Sequence, residues 1–475
     1  MAQKPFYITT TLPYVNAEPH IGFALEIVQA DIIARYRRLL GDEVFFNTGT
    51  DEHGQKIFQA AQKEGKSVEA YVDHYAKTFE KLKTGLGLSY DVFIRTTSPA
   101  HVAAAQELWR RCAKDIEKKK YKGLYCVGDE AFIKESDLVD GKCPNHPNME
   151  LQEIEEENYF FKLSAYQDKL LHYLSSPGAV LPGWRRDEAI AFVKQGLEDF
   201  SISREKARMS WGIPVPGDET QVMYVWFDAL TNYISTLGWP EDKEGKFKKF
   251  WEGGEVVQTA GKDQVRFQSI MWQAMLMSAD IKNTDKVVYH GFITSGGHKM
   301  SKSLGNVINP LDLVSEYGTD AVRYFLARHV HPFDDSDFTP ERFKEAYNAD
   351  LANGLGNLVA RVMKLAEVYL HGDTKVTQPV FSDEYLKAFQ QFEVNAAIEH
   401  IFRRVSALDH KITKEEPFKL IKTNPEAGTK LILELILELR IIGILLGPFL
   451  PQTSKKIIES VDAHKKPENL FPRKD

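Results

Sequence analysis

Two short segments far apart in the chain carry residue types that handle phosphate: His20-Ile21-Gly22-Phe23 and Lys299-Met300-Ser301-Lys302-Ser303. A histidine at a helix N-terminus meets the positive end of the helix dipole and backbone N–H groups that lack intrahelical partners. That environment suits an anionic oxygen. The second segment follows Ser295-Gly296-Gly297-His298 and reads as a flexible loop presenting two lysines three apart. Lysine is a mobile point charge that can follow a leaving pyrophosphate.

The elements around them read as a nucleotide-binding fold. Phe6–Thr11 is strand-like, a turn-rich loop passes Pro13, Asn16 and Pro19, and helical periodicity begins with Leu25, Val28, Ile32 and Ile33 on one face. Glu43–Asn47 is a second strand, and Thr48-Gly49-Thr50-Asp51-Glu52-His53-Gly54 lies at its carboxyl end, where open α/β sheets bind ligands. Ala100–Lys119 reads as a helix. Such alternation argues for a parallel sheet with crossover helices. From about Tyr121 the texture shifts to short strands, turns and Cys/His pairs, with Asn158–Leu163 as a strand. Alternation resumes near residue 200, with Met223–Phe227 and Val287–His290 as strands and Val265–Ala279 as a helix. Beyond about residue 340, amphipathic stretches Arg342–Tyr369, Asp383–Leu408 and Pro425–Leu446 read as a helical bundle.

At 475 residues the chain needs two to four domains. A net charge of −7 gives no global attraction to nucleic acid, so RNA contact has to rest on local basic patches. The three cysteines suit a reducing compartment, and Met1–Thr10 lacks a signal-peptide pattern, so a cytoplasmic location is expected. Leu431–Leu450 is apolar, but Glu434, Glu438 and Arg440 interrupt it. It reads as a buried bundle helix, not a membrane span.

Together the two signatures and the blocks between them resemble the class I aminoacyl-tRNA synthetases, and within them the methionyl-tRNA synthetases. The resemblance runs from Phe6 to about Val461. It implies an α/β fold: a Rossmann-like parallel-sheet catalytic domain split by a small zinc-knuckle-type insertion, followed by an α-helical bundle. The expected division is 1–120 and 194–290 for the two catalytic halves and 121–193 for the insertion. Residues 291–341 form a stem-contact region with the lysine loop, and 342–475 an anticodon-binding bundle. The implied reaction activates methionine with ATP and Mg²⁺, releases pyrophosphate, and transfers methionine to its tRNA. Phosphoryl-type transition states need charge neutralisation and positioning more than acid–base chemistry.

By resemblance His20, Lys299 and Lys302 are the catalytic residues, and Gly22, Gly261 and Asp263 complete the ATP site. Asp263 suits a ribose because a carboxylate accepts from both hydroxyls. Leu12, Tyr14, Asp51, Trp226, Ala229, Leu230, Tyr233 and Gln268 are the implied methionine contacts, with Asp51 on the amino group. An aromatic slot suits a polarizable thioether. Phe23 and Gln268 stand where the family often has histidines. In the bundle, Asn357 and Arg361 share a helix face and, with Phe418 in place of a usual tryptophan, match the anticodon readers. A plain core role for Phe418 stays open beside that one.

Cys126-x-x-Asp129 and Cys143-x-x-His146 are spaced as a zinc knuckle. Relatives with one knuckle have cysteine where this chain has Asp129. Two readings stay open: one structural zinc ion, or a knuckle that folds without metal. Sister synthetases for valine, leucine or isoleucine carry a much longer editing insertion. A small-metabolite nucleotidyltransferase has no use for the bundle. The expected partners are methionine and its tRNA, contacted at the anticodon and the acceptor end. No membrane partner is expected. Since the sequence ends at Asp475, without the C-terminal domain some relatives append, a monomer is expected.

Overall fold

The computed structural model describes residues 4–126, 131–133, 135–144, 147–300, 305–370 and 381–474. A six-stranded, all-parallel sheet runs in the order Val92–Arg95, Glu43–Thr50, Pro5–Thr9, Glu255–Gly261, Lys286–His290, Val180–Leu181. Side chains alternate between its faces. Phe6, Ile8, Val257 and Val288 pack into one core, which continues into the C-terminal helices through Leu351, Leu435 and Leu439. Tyr7, Val256, Val287 and Tyr289 pack into a second core with Leu108, Trp251 and Trp272. Both faces are therefore covered, as a parallel sheet requires. From Pro5–Thr9 the chain winds first towards Val92–Arg95 and only later towards Val180–Leu181. The strand order thus reverses between Pro5–Thr9 and Glu255–Gly261, a switch point where such sheets leave a crevice.

The insertion builds an antiparallel sheet of Ala131–Ile133, Ile116–Cys126, Gln152–Phe161 and Phe200–Ser201. Helix Pro99–Arg111 is accordingly shorter than its apolar pattern suggests. The chain turns at Ala113–Asp115 and becomes strand at Ile116. The bundle holds helices Asn357–Tyr369, Asp383–Gln390, Val394–Glu415, Pro417–Thr423, Pro425–Leu446 and Pro451–Asp462. The break after Gln390 is marked by Phe392 at φ 59°, a left-handed residue no helix continues through. Among the described residues no helix is long and apolar enough to cross a membrane.

Two further expected elements differ, and a third holds with a local change. Met223–Phe227 is not one strand: the strand is Asp218–Met223 and Val225–Leu230 is helical. A short buried apolar run does not reveal its period. The expected helix Val265–Ala279 is present, helical from Val265 to Ser278, with a π-turn at Phe267–Met271 inside it that periodicity did not show. The loop before Lys299 is a two-residue hairpin joining Ile293–Ser295 to His298–Lys299. Gly296 and Gly297 sit at φ 60° and 77°, the conformation such a turn needs.

Candidate active site

A cavity of about 390 Å³ opens at the switch point. The carboxyl ends of four parallel strands supply its walls. Thr11, Leu12, Pro13 and Tyr14 follow the first strand, Asp51 the second, Gly261 and Asp263 the Glu255–Gly261 strand, and His290 to Ile293 the next. His20, Gly22, Phe23 and Glu26 come from the start of helix Ile21–Leu39. Trp226, Ala229 and Leu230 come from helix Val225–Leu230, Asn232 and Tyr233 from the short helix after it, and Gln268 from the π-turn. Residues 226, 229 and 230 share one helix face.

His20 is the N-cap of its helix, and its Nδ1 accepts the Gly22 N–H at 3.0 Å. A ring accepting at Nδ1 is the tautomer whose hydrogen sits on Nε2, so the histidine keeps one donor for a ligand. The ring reaches solvent at the cavity mouth, and desolvation by the surrounding protein lowers its pKa below the ordinary value. Gly22 has a steric reason to be glycine: a Cβ there would stand 2.8 Å from His20 Cε1. Gly261 has the same relation to Asp263, whose Oδ1 would lie 2.7 Å from an added Cβ.

The end of the cavity lined by Tyr14, Asp51 and Tyr233 is held by backbone and side-chain bonds. The Asp51 N–H donates to the Pro13 carbonyl at 3.0 Å, and the Asp51 carbonyl accepts from Val15 N–H at 3.3 Å, so Asp51 and Tyr14 are fixed side by side. The Gln268 amide nitrogen donates to the Tyr233 hydroxyl at 2.6 Å, and Tyr7 donates to the Tyr233 carbonyl at 2.8 Å. Trp226 stacks on Phe267 with ring centroids 3.7 Å apart. Phe23 lines the cavity and sets its ring edge-on to Phe79 at 5.3 Å.

Sequence reasoning missed Glu26 and His290. The Glu26 carboxylate accepts from the Thr11 hydroxyl at 2.7 Å and meets His290 Nε2 at 2.9 Å, with both side chains buried in the cavity wall. Burial alone lowers the His290 pKa, but the bonds to Glu26 and the Gly291 carbonyl outweigh it and raise the pKa overall. The sequence did hold signals for both. Glu26 interrupts an apolar helix face, and His290 ends a strand of a parallel sheet.

Lys299 lies on the second strand of the glycine hairpin, and Met300 reaches the cavity. Lys302 lies outside the described residues, as do Asp129 and His146 of the knuckle. Cys126, at a strand end, and Cys143 are both fully buried, and two buried thiols suit a zinc donor set. Among the described residues no group of three or more His, Cys, Asp or Glu is placed to hold a metal.

A second depression, about 430 Å³, lies on the bundle and is lined by Asn357, Arg361, Lys364, Ile412, Phe418 and Lys466 among others. Asn357 and Arg361 lie on helix Asn357–Tyr369, directly after a π-helical stretch, Tyr347–Gly356. Arg361 pairs with Asp409, and Phe418 is 44% exposed, so Phe418 is not a core residue.

Residues 6–151 and 148–363 match the family model described as tRNA synthetases class I (M). A methionine–tRNA ligase of Rhizobium meliloti (strain 1021) is 40% identical, over 96% of this chain and 92% of that protein. One from Caldanaerobacter subterraneus subsp. tengcongensis is 42% identical, over 97% of this chain and 74% of that protein. The Mycobacterium tuberculosis methionyl-tRNA synthetase in complex with methionyl-adenylate superimposes with a TM-score of 0.88 at 37% identity, covering 96% of this chain and 94% of that one. A nucleotide-binding α/β fold with a switch-point cavity and an appended helical bundle is thus joined to a specific lineage. The chain belongs to the class I tRNA synthetases of the (M) family.

Proposed function

We propose that the protein is a ligase that activates methionine with ATP and joins it to its tRNA. One observation carries this reading: a single cavity gathers His20, Asp51, Trp226, Tyr233, Gly261 and Asp263 at the sheet's switch point. In the first step a methionine carboxylate oxygen attacks the α-phosphorus of magnesium-bound ATP. The bond to the bridging oxygen breaks, pyrophosphate leaves, and methionyl-adenylate remains. In the second, the terminal ribose hydroxyl of the tRNA attacks the adenylate carbonyl, AMP leaves, and the hydroxyl proton is released.

The residues divide this work by position. Asp51 holds the substrate ammonium, and the face of Trp226, Ala229 and Leu230 with Tyr233 encloses the thioether. Asp263 takes the ribose hydroxyls. His20 donates from Nε2 to a phosphate oxygen at the helix N-terminus, where dipole and ring act on the same charge. Lys299 and Lys302 bring mobile positive charge to the departing pyrophosphate. Asn357, Arg361 and Phe418 receive the anticodon, with the aromatic ring stacking an unpaired base. Cys126, Asp129, Cys143 and His146 are the residues that would hold a structural zinc ion, which would brace the insertion.

The test is to measure His20→Ala and Lys302→Ala for methionine binding by calorimetry and for methionine-dependent exchange of pyrophosphate into ATP. Binding is expected to persist while exchange falls about 100-fold or more, because these groups act on charge that develops in the transition state. Equal losses of binding and exchange would contradict the assignment.

A further inference from the structure

Beneath the amino-acid end of the cavity lies a buried cluster that the reaction above does not use. Asp228 is fully buried and accepts from two imidazoles, His53 Nδ1 at 2.7 Å and His101 Nε2 at 2.9 Å. His101 Nδ1 in turn meets the Ser235 hydroxyl at 2.9 Å. An ionised carboxylate only accepts, so each contacting ring nitrogen carries a hydrogen. The imidazole bonds hold Asp228 ionised, its pKa below the ordinary value although burial opposes this.

The cluster joins the two parts of the amino-acid site. Asp228 stands on helix Val225–Leu230, on the side away from Trp226, Ala229 and Leu230, which face the cavity. His53 belongs to the turn that begins with Asp51. Between them Glu52 anchors the same turn: its carboxylate accepts from Thr50 and Arg95, its N–H donates to Thr96 Oγ1, and its carbonyl accepts from Trp211 Nε1. The Asp51 turn is therefore fixed to the sheet through Glu52 and to the pocket helix through His53. A buried charge is costly unless every lone pair is engaged, and here both carboxylate oxygens are engaged by groups from different elements.

We propose that Asp228, bridged by His53 and His101, is a positioning residue that sets the distance between the ammonium-binding carboxylate of Asp51 and the side-chain pocket of Trp226, Ala229 and Leu230. The bridge acts as a ruler for the amino acid, and the nucleotide end of the cavity does not depend on it. This rests on the assignment of Asp51 to the substrate ammonium.

Paired amide substitutions test it, because an asparagine N–H₂ falls near the imidazole Nδ1 position and a glutamine N–H₂ near Nε2. His53→Asn and His101→Gln keep the donor that faces Asp228, whereas His53→Gln and His101→Asn misplace it. In methionine-dependent pyrophosphate exchange, the first pair is expected to stay within about threefold of the parent KM for methionine. The second pair is expected to raise that KM about tenfold or more, with the KM for ATP unchanged, as misplacement of a positioned group predicts. Asp228→Asn, which leaves only one acceptor, is expected to resemble the second pair. Equal effects of asparagine and glutamine at each histidine, or parallel rises in both KM values, would overturn the proposal. Asp51→Asn is measured alongside: if it leaves the methionine KM unchanged, the ammonium assignment fails, separately from the ruler.

Discussion

The Arg323 guanidinium and the Asp31 carboxylate lie 2.8 Å apart with neither side chain exposed to solvent. Asp31 is on the helix that His20 caps. Arg323 also donates to the carbonyls of Leu86, Pro448 and Phe449, the last two at the end of bundle helix Pro425–Leu446. The pair therefore ties the helix that His20 caps to the bundle. Arg323→Ala leaves Asp31 buried with Arg35 as its charged partner among the described residues, and removes the donor from three carbonyls. It is expected to destabilise the protein by about 3–5 kcal/mol, read from urea unfolding. A cost below about 1 kcal/mol, the scale of a surface pair, would show that the buried pair is not a main tie.

A second prediction concerns pH. Burial raises the Asp31 pKa, but the charges of Arg323 and Arg35 outweigh it and hold the pKa below the ordinary value. Its stabilisation is present above the unfolded carboxylate pKa of about 3.9 and is lost as pH falls through the lower folded value. His290 has the opposite sign. Its folded pKa is raised, so its stabilisation is complete below the unfolded value of about 6.5 and is lost as pH rises through the folded value. Urea midpoints of the parent and Glu26→Gln are expected to differ most below pH 6.5 and to converge at higher pH. A constant difference across that range would remove the His290–Glu26 pair as the cause.

Metal content separates the two readings of the knuckle. With zinc held by Cys126, Asp129, Cys143 and His146, purified protein is expected to carry about one equivalent of zinc. Asp129→Cys is expected to tighten it, since thiolate is the softer ligand. Metal-free protein with full activity would establish the knuckle that folds without metal.

The proposed anticodon role of Asn357, Arg361 and Phe418 lies in the bundle, so it can be tested apart from the chemistry. Arg361→Ala is expected to impair tRNA charging while leaving tRNA-free pyrophosphate exchange intact. Each lost base contact should weaken tRNA binding by about 1–3 kcal/mol. Phe418→Ala is expected to weaken tRNA binding and Phe418→Trp to preserve it. Normal charging by a folded Arg361→Ala protein would reduce the Asn357–Arg361 face to ordinary packing.

The sequence carried the junctions of the cavity well, because Asp51 and Asp263 each sit where a strand's apolar pattern stops and His20 where a helix's begins. It did not carry the helix at Val225–Leu230, where buried apolar residues hide the period, nor the π-turn that aims Gln268. The pairing of Glu26 with His290, and of Asp228 with His53 and His101, was not legible for a different reason. Each pair joins residues far apart in the chain, and a buried carboxylate declares its partners only in three dimensions. Pro425–Leu446 was legible from its bounding prolines and its uninterrupted apolar face.

The central claim is that this cavity activates methionine. Amino-acid-dependent exchange of labelled pyrophosphate into ATP, run without tRNA across all twenty amino acids, tests it directly. Methionine alone is expected to support efficient exchange. Apolar residues differing by about one methylene should fall about 10–200-fold behind, the range over which a pocket of this kind discriminates. Preference for leucine, isoleucine or valine, or no exchange with methionine, would contradict the account.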